Sequence, residues 1–109
     1  MNSIEVWTNT RGDIVDASGE AAALLNISER AVRHRPIHLF FNSQRDRLFR
    51  ALEVASRGHC ETLTAVLRPR ERRVVAVAIE MEQDPESPEL VRWTITPVEN
   101  LLANQPEHA

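Results

Sequence analysis

Three histidines and the single cysteine are the residues of this chain best suited to chemistry. His34 and His38 are four residues apart, a spacing that lets two imidazoles bind one metal ion when both lie on a helix. Pro36 lies between them, and proline in a helix interior breaks the helix. His59 and Cys60 are neighbours, so in a strand they point to opposite faces. We therefore predict no metal site.

Catalytic groupings are also missing from the sequence. Asp13 and Asp16 flank a short β-branched segment, where roles in a turn and a cap explain them. No serine, histidine and acid form a nucleophile motif, and three glycines are too few for a phosphate-binding loop. We expect no enzyme. The alternative is a small α+β enzyme with an apolar pocket, which would need a carboxylate or histidine of perturbed pKa inside that pocket.

Composition indicates one ordinary globular domain. The chain has 109 residues, of which 42% are hydrophobic and 27% charged, with a net charge of −3. Every basic residue is arginine, and the densest group, RPRERR at 68–73, is interpreted as a turn. Nucleic-acid binding would need a basic face with aromatic residues, so none is expected. A single cysteine excludes an internal disulfide and suits the cytoplasm. No apolar run of about 18 residues and no signal peptide is present, so no membrane association is expected.

The first half of the chain combines strand and helix patterns. Apolar and polar residues alternate at the start, and 10–13 is a turn signal. Ser18 is a suitable N-cap before a run of alanine and leucine, and Pro36 marks a break. The predicted elements are strands at 4–9 and 13–17, helices at 19–26 and 28–33, and an apolar turn or core-plugging loop at 37–41.

The second half predicts one long helix and three strands. The helix begins after Ser43, a predicted N-cap, and ends at Gly58. Its apolar residues recur near every 3.6 positions, after which the period changes to two. The predicted strands are 61–68, 74–82 and 90–98, joined by short turns that make them an antiparallel meander. The first hairpin must join the same sheet, because an isolated hairpin is marginally stable. We predict an α+β domain over residues 1–100 and a polar tail over 101–109.

Over residues 4–100 the order of elements and several short motifs resemble a PAS domain. The motifs are TRGDIVDASGEAAALLNIS at 10–28, LFF at 39–41, VLRP at 66–69 and VRWTI at 91–95. The resemblance implies a five-stranded antiparallel sheet in the order 2-1-5-4-3, with the helices packed on one face. It also implies a sensory module of bacterial signal transduction that acts by binding a small molecule, a signalling protein or a second copy of itself.

The same resemblance bears on cofactors, and none is identified. Flavin-binding PAS domains that sense light carry a reactive cysteine before the long helix, but Cys60 follows that helix. Haem-binding members usually take a histidine from the long helix, and residues 42–57 contain none. The chain has no tyrosine to support a chromophore like that of photoactive yellow protein. No covalent flavin or haem site is recognisable, and the cofactor is unknown.

A small apolar ligand between the sheet and the helices is a further implication of the resemblance. The same apolar residues would form a closed core if no ligand binds. The expected lining consists of Leu24, Ile27, Val32, Ile37, Leu39, Phe40, Leu48, Leu52, Val75, Val77 and Ile79.

The last strand suggests a surface for self-association. Trp93 shares one strand face with two other apolar residues, while Arg92 and Thr94 lie on the other. We predict that the apolar set lies on the sheet face away from the helices, uncovered, and forms a symmetric homodimer. Alternatively, the tryptophans point inward and the outer face is polar. The predicted interface is Trp7, Val91, Trp93 and Ile95.

The end of the last strand departs from the family pattern. PAS domains usually leave through Asp-Ile-Thr and a linker helix, whereas Pro97, Val98 and Glu99 occupy those positions here. We therefore expect no effector in the same chain and a signal that leaves through the sheet. Met1 close to the first strand and the polar end favour a complete gene product. The alternative is the sensor fragment of a larger histidine kinase or transcriptional regulator.

Overall fold

A computed structural model describes residues 4–41 and 44–98 of the chain. The predicted tail at 101–109 and Ser43, expected to cap the long helix, lie outside the described residues. The elements are β1 Glu5–Thr8, β2 Ile14–Ala17, α1 Gly19–Leu25, α2 Glu29–Val32, a 3-10 turn Ile37–Phe40, α3 Arg45–Ser56, β3 Glu61–Leu67, β4 Val75–Gln83 and β5 Val91–Pro97.

The strands form one antiparallel sheet in the order β2-β1-β5-β4-β3. This confirms the predicted α+β fold and sheet order. The last strand lies between the first and the fourth, so β5 joins the N-terminal hairpin to the C-terminal meander. Pro97 has no N–H to donate, but it pairs with Val77 at the end of β5, and the Val98 N–H donates to the carbonyl of Ala76 at 2.8 Å.

Polar caps bound the first two helices, and the N-cap predicted at Ser18 is confirmed. The Ser18 hydroxyl accepts a hydrogen bond from the N–H of Ala21 at 3.2 Å, and Ser28 does the same for Ala31 at 3.1 Å. Asn26 ends α1 in the left-handed conformation, with φ of 60°. Such caps satisfy backbone groups that lack a partner within the helix. The chain therefore turns sharply after α1, which places α2 and the 3-10 turn beside β2.

The turn between β1 and β2 brings the chain close to α3. The Asn9 side-chain oxygen accepts hydrogen bonds from the N–H groups of Arg11 and Asp13, at 2.9 and 3.0 Å. Gly12 has φ of +90°, and a Cβ atom there would lie 3.0 Å from Cε1 of Phe49. Glycine at this position serves both the turn and the contact with α3.

The helices pack on one face of the sheet around a single apolar core. The buried face of α3 carries Leu48, Ala51, Leu52 and Ala55, at the spacing expected for an amphipathic helix. In the described part of the chain, no helix has both the length and the apolar character needed to cross a membrane.

Candidate functional site

The histidines that could have formed a metal site have separate structural roles. His34 adopts a positive φ of 71°, and its N–H donates to the carbonyl of Ile14 at 2.7 Å. The ring of His38 packs against Phe49, with 5.6 Å between the ring centroids. Within residues 4–41 and 44–98, no three His, Cys, Asp or Glu side chains are grouped to hold a metal ion.

Cys60 lies on the surface in an acidic environment. Its Sγ atom donates a weak hydrogen bond to Oε2 of Glu80 at 3.9 Å. Partial desolvation, together with the charges of Glu80 and Glu82, raises the pKa of the thiol above its ordinary value. Because the thiolate is the reactive form, this environment makes Cys60 a poor nucleophile.

Most residues expected to line an internal pocket form a packed core. Ten of the eleven belong to the core cluster or pack against it. A ligand-sized space would leave accessible surface on the side chains around it, but five of them have at most 1% exposure. These five are Val32, Leu48, Leu52, Val77 and Ile79. An internal ligand site therefore stays a prediction. Leu39 differs from the rest, because it is 57% exposed.

The orientation predicted for the last strand is wrong. Trp93 has 0% exposure, packs near Phe41 and donates from Nε1 to the Thr8 hydroxyl at 2.9 Å. Val91 and Ile95 are buried in the same core. The apolar set shares one strand face as expected, but that face points to the helices, which supply the apolar contacts it needs. The alternative reading, a polar outer face, is correct for β5.

Trp7 lies on the outer face of the sheet, opposite to Trp93. It is half-buried and pairs with Asp16 on β2 and Arg92 on β5. The Arg92 guanidinium donates to Glu82 at 2.5 Å, and this hydrogen bond raises the pKa of Arg92. Further along, the outer face of β3, β4 and β5 forms a shallow groove of about 260 Å³ that is rich in threonine.

A surface cavity lined by both apolar and charged residues lies at the opposite end of β4 from Cys60. It measures about 460 Å³, and we call it the arginine cleft. Four of its lining residues are apolar, and we call them the floor: Ile27, Leu39, Phe40 and Pro69. The other four are charged, and we call them the rim: Arg35, Arg68, Arg70 and Glu71. Apolar residues combined with a few charged groups are typical of small-molecule sites.

Hydrogen bonds between distant segments hold the arginine cleft together. The Asn26 side-chain amide donates to the carbonyl of Arg70 at 2.7 Å, and the Arg70 N–H donates to the carbonyl of Leu25 at 3.0 Å. The Arg68 N–H donates to the carbonyl of Phe40 at 2.6 Å. The β3–β4 loop is thus fixed both to the end of α1 and to the 3-10 turn. The cleft is a preformed feature of the fold.

Sequence reasoning missed the rim of this cleft. The segment 68–73 was interpreted only as a turn, and the turn itself is confirmed, with Glu71 at φ of 57°. The signal that could have found the cleft was the high density of arginine around Pro69. These arginines form a cleft only together with Ile27 and Leu39, which are close to them in space and distant in sequence. Three residues of the expected pocket, Ile27, Leu39 and Phe40, do line the cleft.

No protein-family model matches this sequence, and no curated protein matches it. Solved structures resemble it in fold. The PAS domain of an HTR-like protein from Haloarcula marismortui is 15% identical, with a TM-score of 0.76. That alignment covers 88% of this chain and 86% of the other.

Two further structures match over nearly their whole length. The PAS domain of the quorum-sensing receptor RpfR from Cronobacter turicensis, in complex with BDSF, is 13% identical with a TM-score of 0.76. It covers 90% of this chain and 95% of that one. Drosophila melanogaster Cycle PAS-B with bound ethylene glycol is 9% identical with a TM-score of 0.74, covering 87% and 99%. At these identities, the similarity establishes the fold.

Proposed function

We propose that this chain, which has the fold of PAS domains, is a cytoplasmic sensory module of bacterial signal transduction that is regulated by a small molecule. The molecule binds in the arginine cleft and covers its apolar floor. The observation that carries this proposal is the floor itself, where Leu39 is 57% exposed beside the buried Phe40. The cleft volume of about 460 Å³ lies within the range of small-molecule sites. We propose no catalytic role.

Two of the similar structures support a ligand-binding role. The Cronobacter domain is in complex with BDSF, and the Drosophila domain holds ethylene glycol. Domains of this fold therefore bind small molecules of different kinds. In the present chain the core side chains beneath α3 are closely packed, which favours the surface cleft over an internal site. A ligand there would touch both the 3-10 turn and the β3–β4 loop, and so link two ends of the domain.

The proposal is tested by mapping where a simple amphiphile binds. We expect titration with decanoate to shift the amide NMR resonances of residues 26–27, 35–40 and 68–71. Leu39→Gln removes apolar contact area from the floor and is expected to weaken binding about three- to tenfold. Val15→Gln is the matched control, because Val15 is also exposed, at 41%, but lies on β2.

Two results would contradict the proposal. One is a set of resonance shifts that avoids the arginine cleft. The other is an equal loss of affinity in Leu39→Gln and Val15→Gln, which would show that the cleft floor has no special part in binding.

Self-association through the outer sheet face is a second candidate function. Trp7 favours it, because a half-buried indole between Asp16 and Arg92 offers a large apolar surface with polar groups around it. The interface we now propose centres on Trp7 and omits the three buried residues of β5. The partner on this face is a second copy of the chain or another signalling protein. The same surfaces would serve a sensor fragment of a larger kinase or regulator.

A further inference from the structure

The arginine cleft carries a charge opposite to that of the whole chain. Its rim has three guanidinium groups, from Arg35, Arg68 and Arg70, and one carboxylate, from Glu71, which gives +3 − 1 = +2. The whole chain has a net charge of −3. A concave surface of one charge concentrates the field and attracts ligands of the other sign. The charge of the rim therefore favours an anion.

Two of the three guanidinium groups are available to such an anion. Nε of Arg35 donates to the carbonyl of Ala31 at 2.7 Å, and this is the only side-chain hydrogen bond of Arg35 within the described residues. That bond orients the group and leaves its terminal nitrogens for a ligand. The Arg68 side chain has no hydrogen bond or ion pair to any described residue. A guanidinium group binds carboxylate or phosphate through two parallel hydrogen bonds.

The apolar floor of the cleft favours a ligand that has an apolar part as well as a negative charge. Ile27, Leu39 and Pro69 line the cleft together with the arginines, and an inorganic ion would leave this apolar surface in contact with water. We infer that the arginine cleft selects small amphiphiles with one oxyanion head group, a carboxylate or phosphate, on an apolar body. This inference rests on the proposed function and adds the chemical class of the ligand.

Glu71 limits the charge that the ligand can carry. Its carboxylate is 3.9 Å from Nε of Arg70, and both side chains are largely exposed, so the pair is weak. Glu71 lines the same cleft as the arginines and lowers the net charge of the rim. A ligand with one charged group placed beside the arginines meets less repulsion from Glu71 than a polyanion such as a nucleotide.

Calorimetric titration of the full chain with matched probes tests this inference. Decanoate and decanol share an apolar chain and differ in charge, and inorganic phosphate provides a head group alone. We expect decanoate to bind about tenfold or more tightly than decanol, and phosphate alone to bind weakly. Arg35→Gln and Arg68→Gln should each weaken decanoate binding about tenfold, with little effect on decanol.

Two further variants sharpen the test. Glu71→Gln removes the repelling carboxylate and should tighten decanoate binding about two- to fivefold. Arg57→Gln is the control, because Arg57 is exposed on the helix side and pairs with Glu53 outside the cleft. It should leave decanoate binding unchanged. Circular dichroism of each variant verifies that the fold is retained.

The outcomes separate this inference from the proposed function. If decanol binds as tightly as decanoate and Leu39→Gln weakens both, the proposed function stands and the anion inference is overturned. If neither binds, both fall. If phosphate binds as tightly as decanoate, the ligand needs no apolar body, and that part of the inference is overturned. If the protein sediments with phosphatidylserine vesicles and does not bind decanoate, the inference is overturned and the cleft binds a membrane surface instead.

Discussion

At the scale of single residues, one hydrogen bond supports the inward position of Trp93 on the sheet. Its indole is fully buried, and Nε1 donates to Thr8, the one fully buried polar side chain among the described residues. Buried polar groups need partners, so a tryptophan in a core is suited to a site where its N–H can reach one. β1 supplies that partner two residues after Val6, on the same inward face.

The Thr8–Trp93 bond gives a direct test. Thr8→Val keeps the shape of the side chain and leaves the indole N–H buried without a partner. We expect the free energy of unfolding to fall by about 1–3 kcal/mol, measured by urea denaturation. Thr8→Ser keeps the hydroxyl and should lose less. Equal stability of the valine and serine variants would show that the hydrogen bond contributes nothing.

At the scale of elements, the alternation of β5 was predicted correctly but its direction was not. A period of two fixes which residues share a face, and it does not say which face is covered. The buried strands and α3 were predictable because their apolar residues recur at regular spacing. The arginine cleft was not, because it combines the 3-10 turn with the β3–β4 loop through long-range hydrogen bonds.

The turn between β1 and β2 provides a second prediction. Gly12→Ala forces a side chain into a positive φ and also towards Phe49. Gly58→Ala is a matched control, because Gly58 has a similar φ of +98° with its nearest contact at an ordinary 3.7 Å. We expect both variants to be destabilised, and Gly12→Ala to lose about 1–3 kcal/mol more, since Phe49 must move. Thermal unfolding measures the difference, and equal losses would show that the Phe49 contact is unimportant.

At the scale of the whole molecule, the two candidate surfaces are separate from each other. The core contains most of the residues first assigned to a ligand pocket and three of the four assigned to a dimer interface. We assign ligand binding to the arginine cleft and self-association to the outer sheet face. Ligand binding and self-association can therefore be altered independently by substitution.

Self-association is tested by light scattering over a range of concentrations. We expect a reversible dimer of the wild-type chain and a monomer of Trp7→Glu, because a charge on the outer face would be buried in the interface. Leu39→Gln should leave the dimer intact, since Leu39 lies in the arginine cleft. A wild-type chain that stays monomeric at high concentration would remove the dimer proposal.

The position of β5 between β1 and β4 also has a consequence for biosynthesis. Among the strands that the structure describes, the N-terminal hairpin pairs with the rest of the sheet only through β5. While the ribosome still holds residues 91–97, the two halves of the sheet have no strand to connect them, and the partner of Thr8 has not emerged. Contacts between distant parts of a chain form late and slow folding. The nascent domain therefore completes its fold only after nearly all of it has been translated. Until then, the β1 edge of the N-terminal hairpin has no strand to pair with and must stay soluble.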